Sequence, residues 1–258
     1  MPQPSPQNVL GSPFVELQSV DSTNNYARHL IHEGLAQHGQ AIFAHEQFIG
    51  KGQRNKTWVS ESGVNILLSL IIKPALQMEQ QFALSAGIAV AAHAFFTKYA
   101  GDEVRIKWPN DLYWQDRKAG GILIETTIRS SNKGSTAKWD WAVAGIGINI
   151  NQGNFPAYLK NPVSLLQITG RLHNPVELAK ELCMGANAIY QEIINGGSNK
   201  VYKEYLDSLY KKNEIIKLRK DNRVFEARLK TVNGNGKLVV EHALEEEFDF
   251  GEVEWIID

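Results

Sequence analysis

Polar residues suited to meeting a ligand gather in four stretches of the chain. They are Asp21-Ser-Thr-Asn24; Gln47 with Gly50-Lys-Gly-Gln-Arg54 and Trp58; Lys107-Trp-Pro-Asn-Asp111; and Arg117-Lys-Ala-Gly-Gly121 running into Ile122-Leu-Ile-Glu125. Each falls at an expected element boundary, where a rigid scaffold presents polar groups to a ligand. Taken singly, each has a local explanation. Ser22 and Thr23 cap a helix, Gly50 and Gly52 loosen a loop, Pro109-Asn110 makes a turn, and Lys118 is a solvated turn lysine beside Asp116 and Arg117. Four such stretches in one chain point to a site. No activated Cys or Ser nucleophile stands out.

Three familiar signals fail. Gly145-Ile-Gly147 lacks the third glycine of a dinucleotide fingerprint, because position 150 is Ile, and it reads as continuing strand. His45-Glu46 has Ile49 where a zinc protease needs its second histidine. Gly50-Lys-Gly is not followed by the Gly-Lys-Ser/Thr of a P-loop.

The elements that must position these residues follow from pattern. Phe14 to Gln18, Ala41 to Ala44 and Asn65 to Ile72 read as strands, and Ser22-Thr23 opens a helix with Tyr26, Ala27, Leu30 and Ile31 on one face. The interval holding Gly50 to Lys56 reads as a long, polar, mobile loop. Glu79 to Tyr99 is a helix stopped by Gly101. Val104 to Trp108, Asp111 to Trp114, Gly121 to Ile128 and Trp139 to Ile150 are strands on short turns, the second turn at Asp116-Arg117. Pro175 to Ile194 and Lys200 to Leu209 are helices. The expected class is α+β, with helices packed on a mixed or antiparallel central sheet.

After Lys212 the pattern changes to short alternating segments: Ile215 to Leu218, Val224 to Thr231, Lys237 to Glu241 and Val253 to Ile257. A small SH3-like β-barrel fits them. The division expected is a flexible tail over 1–12, a main domain over 13–211 and the barrel over 212–258.

Composition bounds the rest. With 258 residues, 43% hydrophobic and 21% charged, the chain is an ordinary globular one. Its net charge of −1 supplies no basic field for a nucleic-acid backbone. The lone Cys183 permits no intrachain disulfide and suits a reducing compartment. Neither a signal peptide nor a membrane span is visible, so the expected location is the cytoplasm.

Together the motifs Lys107-Trp-Pro-Asn-Asp111, Arg117 to Glu125 and Gly145-Ile-Gly-Ile-Asn149 resemble those of biotin–protein ligases, from about Phe14 to Asp258. The resemblance implies a class II synthetase-like core, ATP and Mg²⁺, biotin as substrate, and a two-step acyl transfer. Biotin attacks the α-phosphate of ATP, and a lysine of a biotin carboxyl carrier protein, as in acetyl-CoA carboxylase or related carboxylases, then attacks the mixed anhydride. It further implies that Ser22, Thr23, Asn24, Gln47, Gly50, Lys51, Gly52, Gln53, Lys118 and Gly121 contact biotin. Lys51, Arg54, Trp58, Lys107, Asn110, Asp111, Lys118 and Asn149 fall on the nucleotide side. Lys118, Arg54 and Asp111 are the catalytic candidates, and Asp111 would organise Mg²⁺.

One departure stands out. Many relatives carry Gly-Arg-Gly-Arg-Arg-Gly in the loop that orders over the adenylate, whereas Gly50 to Asn55 reads Gly-Lys-Gly-Gln-Arg-Asn, so Gln53 replaces an arginine and Arg54 or Lys51 is expected to supply the charge. Lipoate and octanoate transferases share the expected fold, but their Arg-Arg-x-Ser-Gly-Gly-Gly stretch is absent. About a dozen residues precede Phe14, too few for a helix-turn-helix, so a repressor role and DNA as partner are not expected. A homodimer through sheet edges is compatible with the pattern.

Overall fold

The computed structural model describes residues 9–129, 138–242 and 244–256. Its first sheet contains β1 (Phe14–Val20), β2 (Ala41–Gln47), β3 (Ile66–Ile72), β4 (Val104–Lys107), β5 (Asp111–Trp114), β6 (Arg117–Arg129) and β7 (Lys138–Ile148). Their spatial order is β1-β2-β3-β7-β6-β5-β4. Only β1 and β2 run parallel, since α1 (Thr23–His32) makes the crossover between them; every other neighbour is antiparallel.

The interior of the sheet explains its sequence. Strand β3, Ile-Leu-Leu-Ser-Leu-Ile-Ile, is buried at every position because both faces are covered. On one face lie α2 (Gln81–Ala100) and α4 (Pro175–Glu192), with α5 (Ser198–Asp207) against α2. On the other, Ala27 of α1 packs on Ile42, Ile71 and Val143. Helix α2 is rich in Ala and aliphatic residues around its circumference, as a helix covered on several sides requires. Asn174 caps α4, its Oδ1 accepting from the Val176 amide at 2.9 Å, with Pro175 in the first helical turn.

The second sheet comprises β8 (Ile215–Lys220), β9 (Arg223–Val232), β10 (Leu238–His242), β11 (Leu244–Phe248) and β12 (Glu254–Ile256), in the order β11-β10-β9-β8-β12. It is antiparallel throughout. Its buried residues Ile216, Leu218, Leu229 and Phe248 belong to the same continuous core as the helices and the first sheet. The indole of Trp108, just after β4, donates to Gly236 O at 2.9 Å, and the Tyr202 hydroxyl of α5 donates to Val232 O, tying the first sheet and its helices to the second.

Several boundaries differ from expectation. Residues 1–8 of the expected tail and Ile257 of the last strand lie outside the described residues. Val9 to Ser12 are not a loose tail: Leu10 is buried, its amide donating to Asn187 Oδ1 at 2.9 Å, and the Gly11 amide donates to Gly39 O at 2.7 Å. The hairpin before β6 turns at Gln115, in the left-handed region with φ 51°, so β6 starts at Arg117 rather than Gly121. Lys118 therefore sits in a strand, not a turn. The short helix α3 (Leu165–Thr169) and strand β11 were not expected from pattern.

Candidate active site

A cavity of about 480 Å³ opens between the first sheet, the loop over 50–58, the segment from Phe155 to Pro162 and the edge of the second sheet. Ser22, Thr23, Asn24, Gln47, Lys51, Gly52, Gln53, Arg54, Trp58, Lys107, Asp111, Lys118, Gly121 and Asn149 all line it. Residues distant in sequence are thus brought together around one cavity.

One part of the lining is neutral and hydrogen-bonded. Ser22, Thr23 and Asn24, at the start of α1, are buried. Ser22 stands at the N-cap position, but its side chain makes no capping bond, so the capping explanation for its hydroxyl does not hold. The Thr23 amide and hydroxyl both donate to Gln47 Oε1, at 2.7 and 3.0 Å. Ser69, fully buried in the middle of β3, donates its single hydroxyl proton toward Thr23 Oγ1 at 2.8 Å or Asn24 Oδ1 at 2.6 Å. Asn24 Nδ2 in turn donates to Glu125 Oε2 at 2.8 Å, and Arg28 meets the other Glu125 oxygen at 3.1 Å. This network fixes the donors and acceptors that face the cavity.

The other part is cationic. Lining it are Lys51, Arg54, Lys56, Lys107, Lys118 and Lys160, against the carboxylates Asp111, Asp116 and Glu254. Lys118 Nζ lies 2.8 Å from Asp111 Oδ1, and the Lys118 backbone is clamped to the next segment, its amide donating to Asn161 O at 2.7 Å. A Cβ at Gly121 would stand 3.1 Å from Asp111 Oδ1, so that glycine leaves room for the pair. Burial lowers the pKa of Lys107 to about 8, a fall deepened by Lys118 and Lys56 and opposed by Asp111 and Glu254.

The loop is folded rather than open. Lys51 bridges to Thr57, the Trp58 amide donates to Gly50 O at 2.9 Å, and Arg54 takes a left-handed φ of 54°. Gln53 Nε2 donates to Ile122 O at 3.3 Å. Two glycines of β7, which looked like a failed dinucleotide motif, form the bed beneath this arrangement. A Cβ at Gly145 would fall 2.3 Å from Asn24 Oδ1, and one at Gly147 would fall 2.6 Å from the Trp58 indole. Glycine in a strand interior signals such close approach, and that signal was present in the sequence.

Two expected site residues lie off the cavity lining, and a third also holds the backbone. Gly50 does not line the cavity; it serves the turn of the loop. Nor does Asn110, whose Nδ2 donates to Ile122 O at 2.7 Å. Asn149 lines the cavity, and its side-chain Nδ2 also donates to Val163 O at 3.1 Å, holding β7 against the following segment. Residues missed from sequence are Ser69, legible as the one polar residue in an apolar strand, and Phe250 and Val253 of the turn before β12 with Trp255 on β12, for which no local signal existed.

The sequence pattern of the Biotin/lipoate A/B protein ligase family matches residues 16–139. The bifunctional ligase/repressor BirA of Escherichia coli is 37% identical over 140 residues, 54% of this chain and 41% of that protein. The biotin–[acetyl-CoA-carboxylase] ligase of Paracoccus denitrificans is 33% identical over 168 residues, 62% of this chain and 66% of that protein. The chain thus spans about two-fifths to two-thirds of these curated relatives. In fold it is similar to the biotin protein ligase of Aquifex aeolicus solved with biotin and ATP, with a TM-score of 0.75, 22% identity, and coverage of 96% of this chain and 100% of that one. Among the described residues no helix is long and apolar enough to cross a membrane. Fold, motifs and sequence agree, and the chain carries a domain of the biotin/lipoate A/B protein ligase family and is homologous to the biotin–protein ligases.

Proposed function

We propose that the protein is an ATP-dependent biotin–protein ligase that forms biotinyl-5′-AMP and transfers biotin to a lysine of a carboxylase carrier domain. The observation that carries this reading is the composition of one cavity, which joins a neutral set, the buried Ser22, Thr23 and Asn24 with the half-buried Gln47, to a cationic set around Lys118. The neutral set suits a ureido ring, which needs donors and acceptors inside a shielded pocket. The cationic set suits phosphates.

Lys118 is the group between the two anions that must meet. Its ammonium lowers the repulsion between the biotin carboxylate and the α-phosphate while the carboxylate oxygen attacks phosphorus and pyrophosphate leaves. In the second step a neutral acceptor amine attacks the acyl carbon, the acyl–phosphate bond breaks, AMP departs, and the nitrogen gives up one proton to solvent to leave an amide. Neither step needs a nucleophile from the protein. Asp111 offers a single carboxylate, and among the described residues no cluster of three or more His, Cys, Asp or Glu stands ready for a resident metal. Asp111 would help hold Mg²⁺ arriving with the triphosphate, and the ion would supply neutralisation of the phosphate charge.

The deciding experiment incubates the protein with biotin, MgATP and a biotinyl carrier domain and scores mass gain on the carrier lysine, with lipoate in parallel. Biotin transfer is expected. Transfer of lipoate instead, or of neither, overturns the reading.

A further inference from the structure

Lys107 ends β4, opposite Asp111 in the β4–β5 ladder, yet Asp111 already pairs with Lys118. Something else holds the Lys107 ammonium. Its Nζ lies 5.3 Å from the ring centroid of Tyr113, on β5, and 5.3 Å from that of Trp255, on β12 of the second sheet. Tyr210 bridges the two rings, its centroid 5.2 Å from Tyr113 and 5.8 Å from Trp255, and its hydroxyl donates to Asp116. An unrestrained lysine at a strand end extends its ammonium into water, because the flexible stem allows it and hydration favours it. Aromatic faces supply the opposing attraction through the ring quadrupole.

The charged groups facing this ammonium are Asp111 on β5, Lys118 on β6, Lys56 of the loop and Glu254 on β12. With Lys107 itself these make three lysines against two acids, a net positive surface that suits an anion. We propose that Trp255 is a positioning residue for Lys107, its ring face holding the ammonium inside the cavity against the phosphates of the nucleotide, so that the second sheet takes part in nucleotide binding. The proposal rests on the ATP reading above and adds to it a residue that need not touch the nucleotide.

The test measures the affinity of α,β-methylene-ATP with Mg²⁺, by calorimetry at saturating biotin, because the bridging carbon prevents turnover. Trp255→Leu and Trp255→Met remove the ring, Trp255→Phe keeps one, and Lys107→Met removes the cation. Either ring-less variant that keeps the wild-type melting profile is expected to bind the analogue about five- to tenfold more weakly, with most of the loss restored in Trp255→Phe. In a Lys107→Met background, removing the ring is expected to cost nothing further. Ring-less variants that bind like wild type, or that lose the same factor with and without Lys107, overturn the proposal. Wild-type protein that binds no analogue overturns both this proposal and the functional reading. Wild-type protein that binds it but releases no pyrophosphate from ATP with biotin overturns the functional reading alone, while the Trp255 series still decides the role of the ring.

Discussion

Lys118 and Asp111 face each other across β5 and β6, Nζ to Oδ1 at 2.8 Å, both lining the cavity and each with a quarter to a third of its side chain exposed. The carboxylate keeps the ammonium in place while no anion is bound. Lys118→Ala is therefore expected to change stability by no more than about 1 kcal/mol, as for other incompletely buried ion pairs. Its effect on adenylate formation should be far larger, on the order of 2–4 kcal/mol in barrier height, by analogy with other donors aimed at developing charge. The readouts are a thermal melt and the rate of biotin-dependent pyrophosphate release. A near wild-type rate would remove Lys118 from the chemistry.

The glycines of β7 make separable predictions. Gly147→Ala places a Cβ 2.6 Å from the Trp58 indole, and the indole is the part that can move. The variant should fold, but its loop should be cut faster by trypsin after Lys51, Arg54 or Lys56. Gly145→Ala places its Cβ 2.3 Å from the buried Asn24 amide, which is tied to Ser69 and Glu125. That site cannot relax as easily, so this variant should lose about 1–3 kcal/mol of stability by overpacking. Equal tryptic rates for Gly147→Ala and the parent would show that Trp58 does not lie on Gly147.

What the sequence disclosed and what it hid follow a physical division. Local signals were readable: the alternation of β1, the apolar run of β3, the Asn174-Pro175 start of α4, and the motifs that resemblance places at one site. Relations across space were not. Nothing near Trp255 announces that it meets Lys107, since that contact depends on how the second sheet seats on the first. The cap role of Ser22 failed because local pattern cannot tell a hydroxyl that closes a helix from one held in a buried pocket wall. Lys118 looked like a turn lysine because Asp116-Arg117 is a fair turn signal, while the chain actually reverses one residue earlier.

Lys107 links pH to stability. Burial lowers its folded pKa to about 8, below the 10.5 of an ordinary lysine. Below pH 8 the folded and unfolded chains both carry the proton, and the cost of keeping the charge half-buried is fully present. Between about pH 8 and 10.5 the unfolded chain holds more protons than the folded one, so this group's contribution to stability rises with pH. Lys107→Met should melt above the parent near pH 7 and lose that advantage as pH approaches 10. A gap between the two melting curves that stays constant over this range would show that Lys107 titrates as an ordinary lysine.

The last prediction concerns Gln53 and Arg54, where the loop departs from the pattern of many relatives. Gln53 reaches into the cavity and donates to Ile122 O, whereas Arg54 also lines the cavity but leans on the turn before β12, where a Cβ on Gly251 would stand 3.3 Å from its guanidinium carbon. If the loop retains a reactive anhydride, the neutral amide should contribute about 0.5–1.5 kcal/mol and the charged group about 1.5–3 kcal/mol. Gln53→Ala should then release preformed biotinyl-adenylate modestly faster, and Arg54→Ala faster still. Gly251→Ala offers an independent check, because it crowds Arg54 without altering the loop; its φ of 92° disfavours any side chain, so melting must be followed alongside. It should accelerate release in the direction of Arg54→Ala. Faster release from Gln53→Ala than from Arg54→Ala, with both proteins folded, would mean that the amide rather than the guanidinium holds the intermediate.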